Sequence, residues 1–185
     1  MKTRERRTKP GGAQPFLEQA RHSLRRQHLP RILGCLETLT QAQIWWRPHR
    51  TSNSIGNLVL HLAGNVRQWI ISGLGNRPDQ RDRDREFEEP GPVPRHALIQ
   101  HLETTVEEAC RVLTGISSRD FEREFHLQGF RVTGLNAITH VTEHFAYHTG
   151  QIIYATKLLI GADLGFTRLP GEKRKFPTTR KLSQF

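Results

Sequence analysis

The chain has 185 residues, enough for one domain with a substantial core. Its formal net charge of +10 is concentrated at the ends. Lys2, Arg4, Arg6, Arg7 and Lys9 against Glu5 give +4 in the first ten residues, and residues 161–185 give another +4, so the body offers no basic binding face.

Residues 1–14 are polar, contain Pro10, Gly11 and Gly12, and read as a disordered basic tail. Phe16, Leu17, Ala20, Leu24, Leu29, Ile32, Leu33, Leu36 and Leu39 recur at helical spacing. They predict a first helix over Phe16–Leu39, broken or kinked at Pro30, whose ring and missing N–H disturb a helix interior. Gln41–Ser52 reads as a loop, with Trp45 and Trp46 expected to plug the end of a core. Ser52, Asn53 and Ser54 offer N-caps for a second helix reaching Ser72. Ile55, Leu58, Val59, Leu62, Val66, Trp69 and Ile70 form its apolar stripe. His61 lies between Leu58 and Leu62, with Asn57 and Asn65 four residues to either side, so a polar strip runs beside the apolar one. Gly73 and Gly75 close the helix.

Asn76–Pro94 is a long connection containing RDRDREFEE and ending in Pro90, Pro92 and Pro94. Its alternating charges predict a solvated loop, and its length allows a lid over a site. Arg95–Leu113 is a third helix, with Ala97, Leu98, Leu102, Val106, Ala109, Val112 and Leu113 inward. Within Ser117–Thr133, EFHLQGFRV predicts a short hairpin around Gly129. Leu135–Ile160 is the fourth helix, and after Gly161 the chain turns basic and is expected to wrap or fray. The expected class is all-α, a four-helix bundle with long interhelical connections spanning 15–165, flanked by basic tails at 1–14 and 166–185. Cys35 and Cys110 read as small core residues, since two lone thiols make neither a disulfide framework nor a zinc motif. No apolar run approaches the ~20 residues of a membrane span, and no secretory signal is visible, so the expectation is cytoplasmic.

The fourth helix carries the chemistry. His140, His144 and His148 follow one another at i, i+4 spacing, which places them along one face. Ile138, Val141, Phe145, Ile152, Ala155 and Leu159 make the apolar stripe, and His148 falls in the gap between Phe145 and Ile152, a core position. His144 sits one turn before it. Two inward imidazoles one turn apart can reach a single metal ion. In a bundle, such sites form between facing helices, so His61 of the second helix is the natural third ligand. Three neutral imidazoles suit an open, catalytic metal site; the closed cysteine-rich structural kind cannot be built from this chain. Asn65, His140, Glu143 and Gln151 are candidates to steady the ligands, because a ligating imidazole usually donates its other N–H to an oxygen.

At these residues the chain resembles the DinB-like superfamily, in particular its small bacterial members of unknown function. SIGNLVLHLAGNVRQW (Ser54–Trp69) resembles the second-helix motif, and HVTEHFAYHTGQI (His140–Ile152) resembles the fourth-helix motif. The residue after the last histidine is commonly Arg in those proteins and is Thr149 here, which puts any Arg-dependent substrate contact in doubt. The resemblance implies a four-helix bundle, often a homodimer, with a divalent metal such as zinc or nickel on His61, His144 and His148. It also implies thiol S-transferase, hydrolase or isomerase chemistry on a small molecule, the transferases using a low-molecular-weight thiol. A divalent ion on three neutral ligands can lower the pKa of a water or bind a thiol as thiolate. Glu143 is the only acidic residue of the helix, a weak candidate base, and this mildly favours the thiol. Two readings of other classes stand beside it: nucleic-acid binding through the basic tails, and a metal-free helical interaction module with histidines as polar core residues.

Overall fold

The computed structural model describes residues 12–167 and Gly171. The tails expected at 1–14 and 166–185 lie mostly outside the described residues.

Four long helical stretches carry the fold. The first is α1 (Ala13–His22), a π-helical segment (Ser23–His28) and α2 (Leu29–Thr38), running without interruption. Pro30 therefore does not break it. The turn ahead of the proline is widened instead, with Leu29 N–H donating to the Leu24 carbonyl five residues back, which makes room for a residue that cannot donate. Gln41–Ser52, expected as a loop, starts with a helical turn, α3 (Gln41–Trp45). Thr40 and Gln43 satisfy each other's backbone N–H groups in a capping box there, a signature overlooked in the sequence. The second stretch is α4 (Ile55–Val66) continued by a π-helical segment (Arg67–Leu74), capped by Ser54 and Asn57 in the same reciprocal way.

The charged connection is not simply a loop, for it contains α5 (Arg83–Glu88), capped by Asp82. The third stretch is α6 (Arg95–Gly115) and is followed by a short α7 (Ser118–Glu122). Strands β1 (Glu124–Leu127) and β2 (Phe130–Thr133) pair antiparallel from Glu124↔Thr133 to Leu127↔Phe130, the predicted hairpin. Gln128 and Gly129, at φ +52° and +80°, make its two-residue turn. The last stretch, α8 (Gly134–Ile160), is capped by Thr133 and stopped by Gly161 in the left-handed conformation, φ +62°.

The first and second stretches each pack against both α6 and α8, while the first with the second, and α6 with α8, make no extended contact. The first and second stretches, and likewise α6 and α8, thus lie diagonally across the bundle, whereas the second stretch and α6 are neighbours. Leu17, Ile32, Leu62, Leu102 and Phe145 are among the fully buried side chains, each contributing about 1.5–3 kcal/mol through burial. Cys35 and Cys110 are buried free thiols, as expected. Trp45 lies against Gly56 and Gly91 and donates its indole N–H to the Val93 carbonyl, whereas Trp46 is 46% exposed and plugs nothing. No helix among the described residues is long and apolar enough to cross a membrane.

Candidate metal centre

α4 and α8 pack face to face and bring His61, His144 and His148 together. His61 is 5% exposed; the other two are half-buried. Their ligand-capable nitrogens all lie within 4.8 Å of one another. His144 Nε2 is 3.0 Å from His61 Nε2 and 3.2 Å from His148 Nε2. Nitrogens bound at about 2.0–2.1 Å around a tetrahedral ion stand roughly 3.3 Å apart, so these two spacings are close to those of a ligand set.

Proton placement gives the same answer. His148 Nδ1 lies 2.7 Å from Gln151 Oε1 and His61 Nδ1 lies 2.9 Å from Glu86 Oε2, oxygens that accept when the proton is on Nδ1; Arg81 Nη2 stands 3.2 Å from the same His61 nitrogen. In that tautomer the Nε2 atoms of both rings are bare lone pairs, and both face His144 Nε2. One proton on His144 can serve only one of them. His144 Nδ1 is buried without a hydrogen-bond partner in the protein. A cation between the three Nε2 atoms satisfies all of them at once, so the residues fit a metal. Burial, reinforced by the charges of His148 and His61, pushes the His144 imidazole down to about 3. Burial also lowers His148, against an opposing pull from Gln151. Both rings are thus held neutral, the form that ligates.

His148 does not occupy the core position expected of it. Thr149 fills the gap between Phe145 and Ile152, 2% exposed, with its hydroxyl donating to the Phe145 carbonyl one turn back. That internal bond lets a threonine serve as a core residue, and it turns His148 to the rim, facing His61.

The supporting residues sort differently from expectation. Gln151 steadies His148. Asn65 reaches His140 instead, Nδ2 to Nε2 at 3.4 Å. His140 stacks on Trp69 with ring centroids 4.1 Å apart and stays outside the three-nitrogen group. Glu143 is exposed and bonds to none of the three, because its position points α8's outer face at solvent. The carboxylate at the centre is Glu86, from the charged connection. Arg81 grips it through two bonds, Nε to Oε1 at 2.7 Å and Nη2 to Oε2 at 2.8 Å, and both side chains are buried. Burial alone would raise the Glu86 carboxyl, but the bonds from Arg81 and His61 outweigh it and hold it below the usual range. Phe87, next in the chain, lies against the His61 ring at 4.6 Å between centroids.

Residues 12–173 match a family described as proteins of unknown function, DUF1572. The chain belongs to that family. Its fold is DinB-like. The crystal structure of a conserved protein from Enterococcus faecalis superposes with a TM-score of 0.66 at 18% identity, covering 78% of this chain and 96% of that one. That of a DinB-like protein from Bacillus subtilis gives 0.58 at 17% identity, covering 88% and 99%. No curated protein matches the chain.

Proposed function

We propose that this DUF1572 protein is a metal-dependent enzyme in which His61, His144 and His148 hold a divalent cation, zinc or nickel, to activate a small thiol or a water toward an electrophile. The observation that carries this is the convergence of three Nε2 atoms, with Glu86 and Gln151 oxygens beside the Nδ1 atoms of two of the rings. A bound divalent ion would supply Lewis acidity, which makes a thiolate or hydroxide available near neutral pH. The protein's own share is to keep His144 and His148 neutral, to aim all three imidazoles, and to set Phe87 and Tyr147 beside them.

One feature favours the thiol. Water activation for hydrolysis benefits from a free carboxylate or imidazole as base. Glu86, the carboxylate at the cluster, already accepts from Arg81 at both oxygens and from His61, so it is not free to take a proton. A thiol held as thiolate needs no separate base. Because Arg81 neutralises Glu86, the centre also keeps the cation's charge largely intact, which suits an anionic ligand.

Metal content of the untagged protein, measured by elemental mass spectrometry, tests the site. Near one ion per chain is expected in the parent and background levels in His61→Ala and His148→Ala. A thiol-transfer panel and an ester and amide hydrolysis panel, run on the zinc- and nickel-loaded protein, then test the chemistry. A parent that takes up neither ion would overturn the reading.

A further inference from the structure

The charged connection is fastened along one line of the second helical stretch. Asn57, His61, Gly64, Gln68 and Ser72 follow at spacings of four, three, four and four, a single helical face. Each meets the connection. Asn57 Nδ2 donates to the Glu86 and Glu89 carbonyls, at 3.0 and 2.9 Å. His61 meets Glu86. Gln68 accepts from Arg81 Nη1 at 2.9 Å and donates to Asp79 at 2.7 Å. Ser72 donates to the Pro78 carbonyl at 3.1 Å. Gly64 contributes by lacking a side chain: a Cβ there would stand 1.8 Å from Glu86 Oε1 and 2.9 Å from Arg81 Nε.

An apolar lid would need none of this. A buried Arg–Glu pair is a poor device for stability, since desolvation offsets the attraction, and a well-packed apolar pair often does as well. This one sits on a helix face with a glycine at its point of closest approach, and its free carboxylate capacity goes to the one histidine that α4 contributes.

We infer that the Asn76–Pro94 connection is a working part of the centre. Glu86, steadied by Arg81 and admitted by Gly64, is a positioning residue that fixes His61 with Nε2 free, so that filling the site and docking the connection are thermodynamically coupled. The inference rests on the metal-centre reading above and extends it from three ligands to the segment that holds one of them. Coupling is reciprocal: what the docked connection adds to ion binding, the bound ion returns as protection of the connection.

The test uses the full chain and zinc or cobalt(II) as probe. Zinc affinity is measured by competition with a chromophoric chelator in the parent, Glu86→Gln, Gly64→Ala and Glu88→Gln. Glu86→Gln keeps the shape and removes the charge. Gly64→Ala leaves Glu86's chemistry intact and displaces it. Glu88→Gln makes the same change on the exposed side of α5. Loss of an imidazole's supporting partner typically weakens metal binding by about 10–100-fold, and that is expected for the first two variants and not the third. The visible spectrum of the cobalt-loaded protein is expected to shift in Glu86→Gln, which a remote packing defect would not cause. A third arm needs no variant. Arg83 and Arg85 are exposed tryptic sites within the connection, and zinc is expected to slow cleavage there by roughly 5–150-fold relative to the stripped parent.

If the parent binds zinc while Glu86→Gln and Gly64→Ala keep its affinity within about twofold and tryptic cleavage ignores the ion, the inference falls and the metal centre stands. If the parent binds neither ion, both fall together.

Discussion

The two sides of the histidine cluster are supported in opposite ways. On α8, His148 is steadied by Gln151, three residues further along the same helix and open to solvent. On α4, His61 is steadied by Glu86, twenty-five residues away, buried and itself held by Arg81. The first support is local, inexpensive and self-assembling wherever the helix forms. The second exists only once a long segment has folded back along the second helical stretch. The difference teaches that the α8 half of the site is built with the helix, while the α4 half is built with the fold.

Breaking the ligands themselves should erase the contrast. His61→Ala and His148→Ala are expected to lose the ion equally, from about one per chain to background by elemental analysis, because three ligands is the minimum of a tight open site. Breaking the supports should expose it. Glu86→Ala leaves Arg81 buried without its partner and should cost about 3–5 kcal/mol of metal-free stability by urea denaturation. Asn57→Ala removes the clamp on the Glu86 and Glu89 carbonyls, and a cost of about 1–3 kcal/mol is expected in the same experiment.

Acid sharpens the comparison further. His144, held near 3 in the fold, takes its proton in the unfolded chain first, at about the usual 6.5. Its share of stability is therefore intact above 6.5 and drains away as pH falls from there toward 3. His148, lowered as well, acts in the same direction. A loss on the order of 1 kcal/mol by pH 5 is expected for the stripped protein, allowing for solvent screening of these half-buried rings. Glu86 is lowered from 4.5, so its share is intact above that pH and is lost only below it. Stability measured against pH should thus begin to fall below 6.5 and fall more steeply below 4.5, where the Glu86 loss adds to that of His144. The smallest effect belongs to Gln151→Ala, at most about 1 kcal/mol on stability for a solvent-exposed hydrogen bond.

These contrasts also explain what the sequence made legible. Helices with strong apolar periodicity, the hairpin with its Gln128–Gly129 turn, and the three histidines were readable because each depends on spacing within one short stretch. Gln151 was readable for the same reason. Glu86 and Arg81 were not: inside RDRDREFEE they look like a solvated charge run, and nothing local separates the buried pair from its exposed neighbours. A trace was present in Asn57, His61, Gly64, Gln68 and Ser72, a polar line on an otherwise apolar helix, which implies that something polar must cover it. Thr149 misled because a side chain that bonds its own helix can pass for a polar residue while packing as an apolar one. Pro30 does not end the first helix, because a π turn absorbs what an α turn could not.

Trp45 gives the protein its own optical gauge. Its ring is wedged between Gly56, at the start of α4, and Gly91, where the charged connection leaves, and its indole N–H is tied to Val93. Any loosening of that crossing admits water to a ring that is otherwise shielded, and indole emission moves to the red when it is wetted. Trp46, already exposed, supplies a constant background beside it. Any departure of the connection can therefore be followed by fluorescence in the unlabelled chain, in real time.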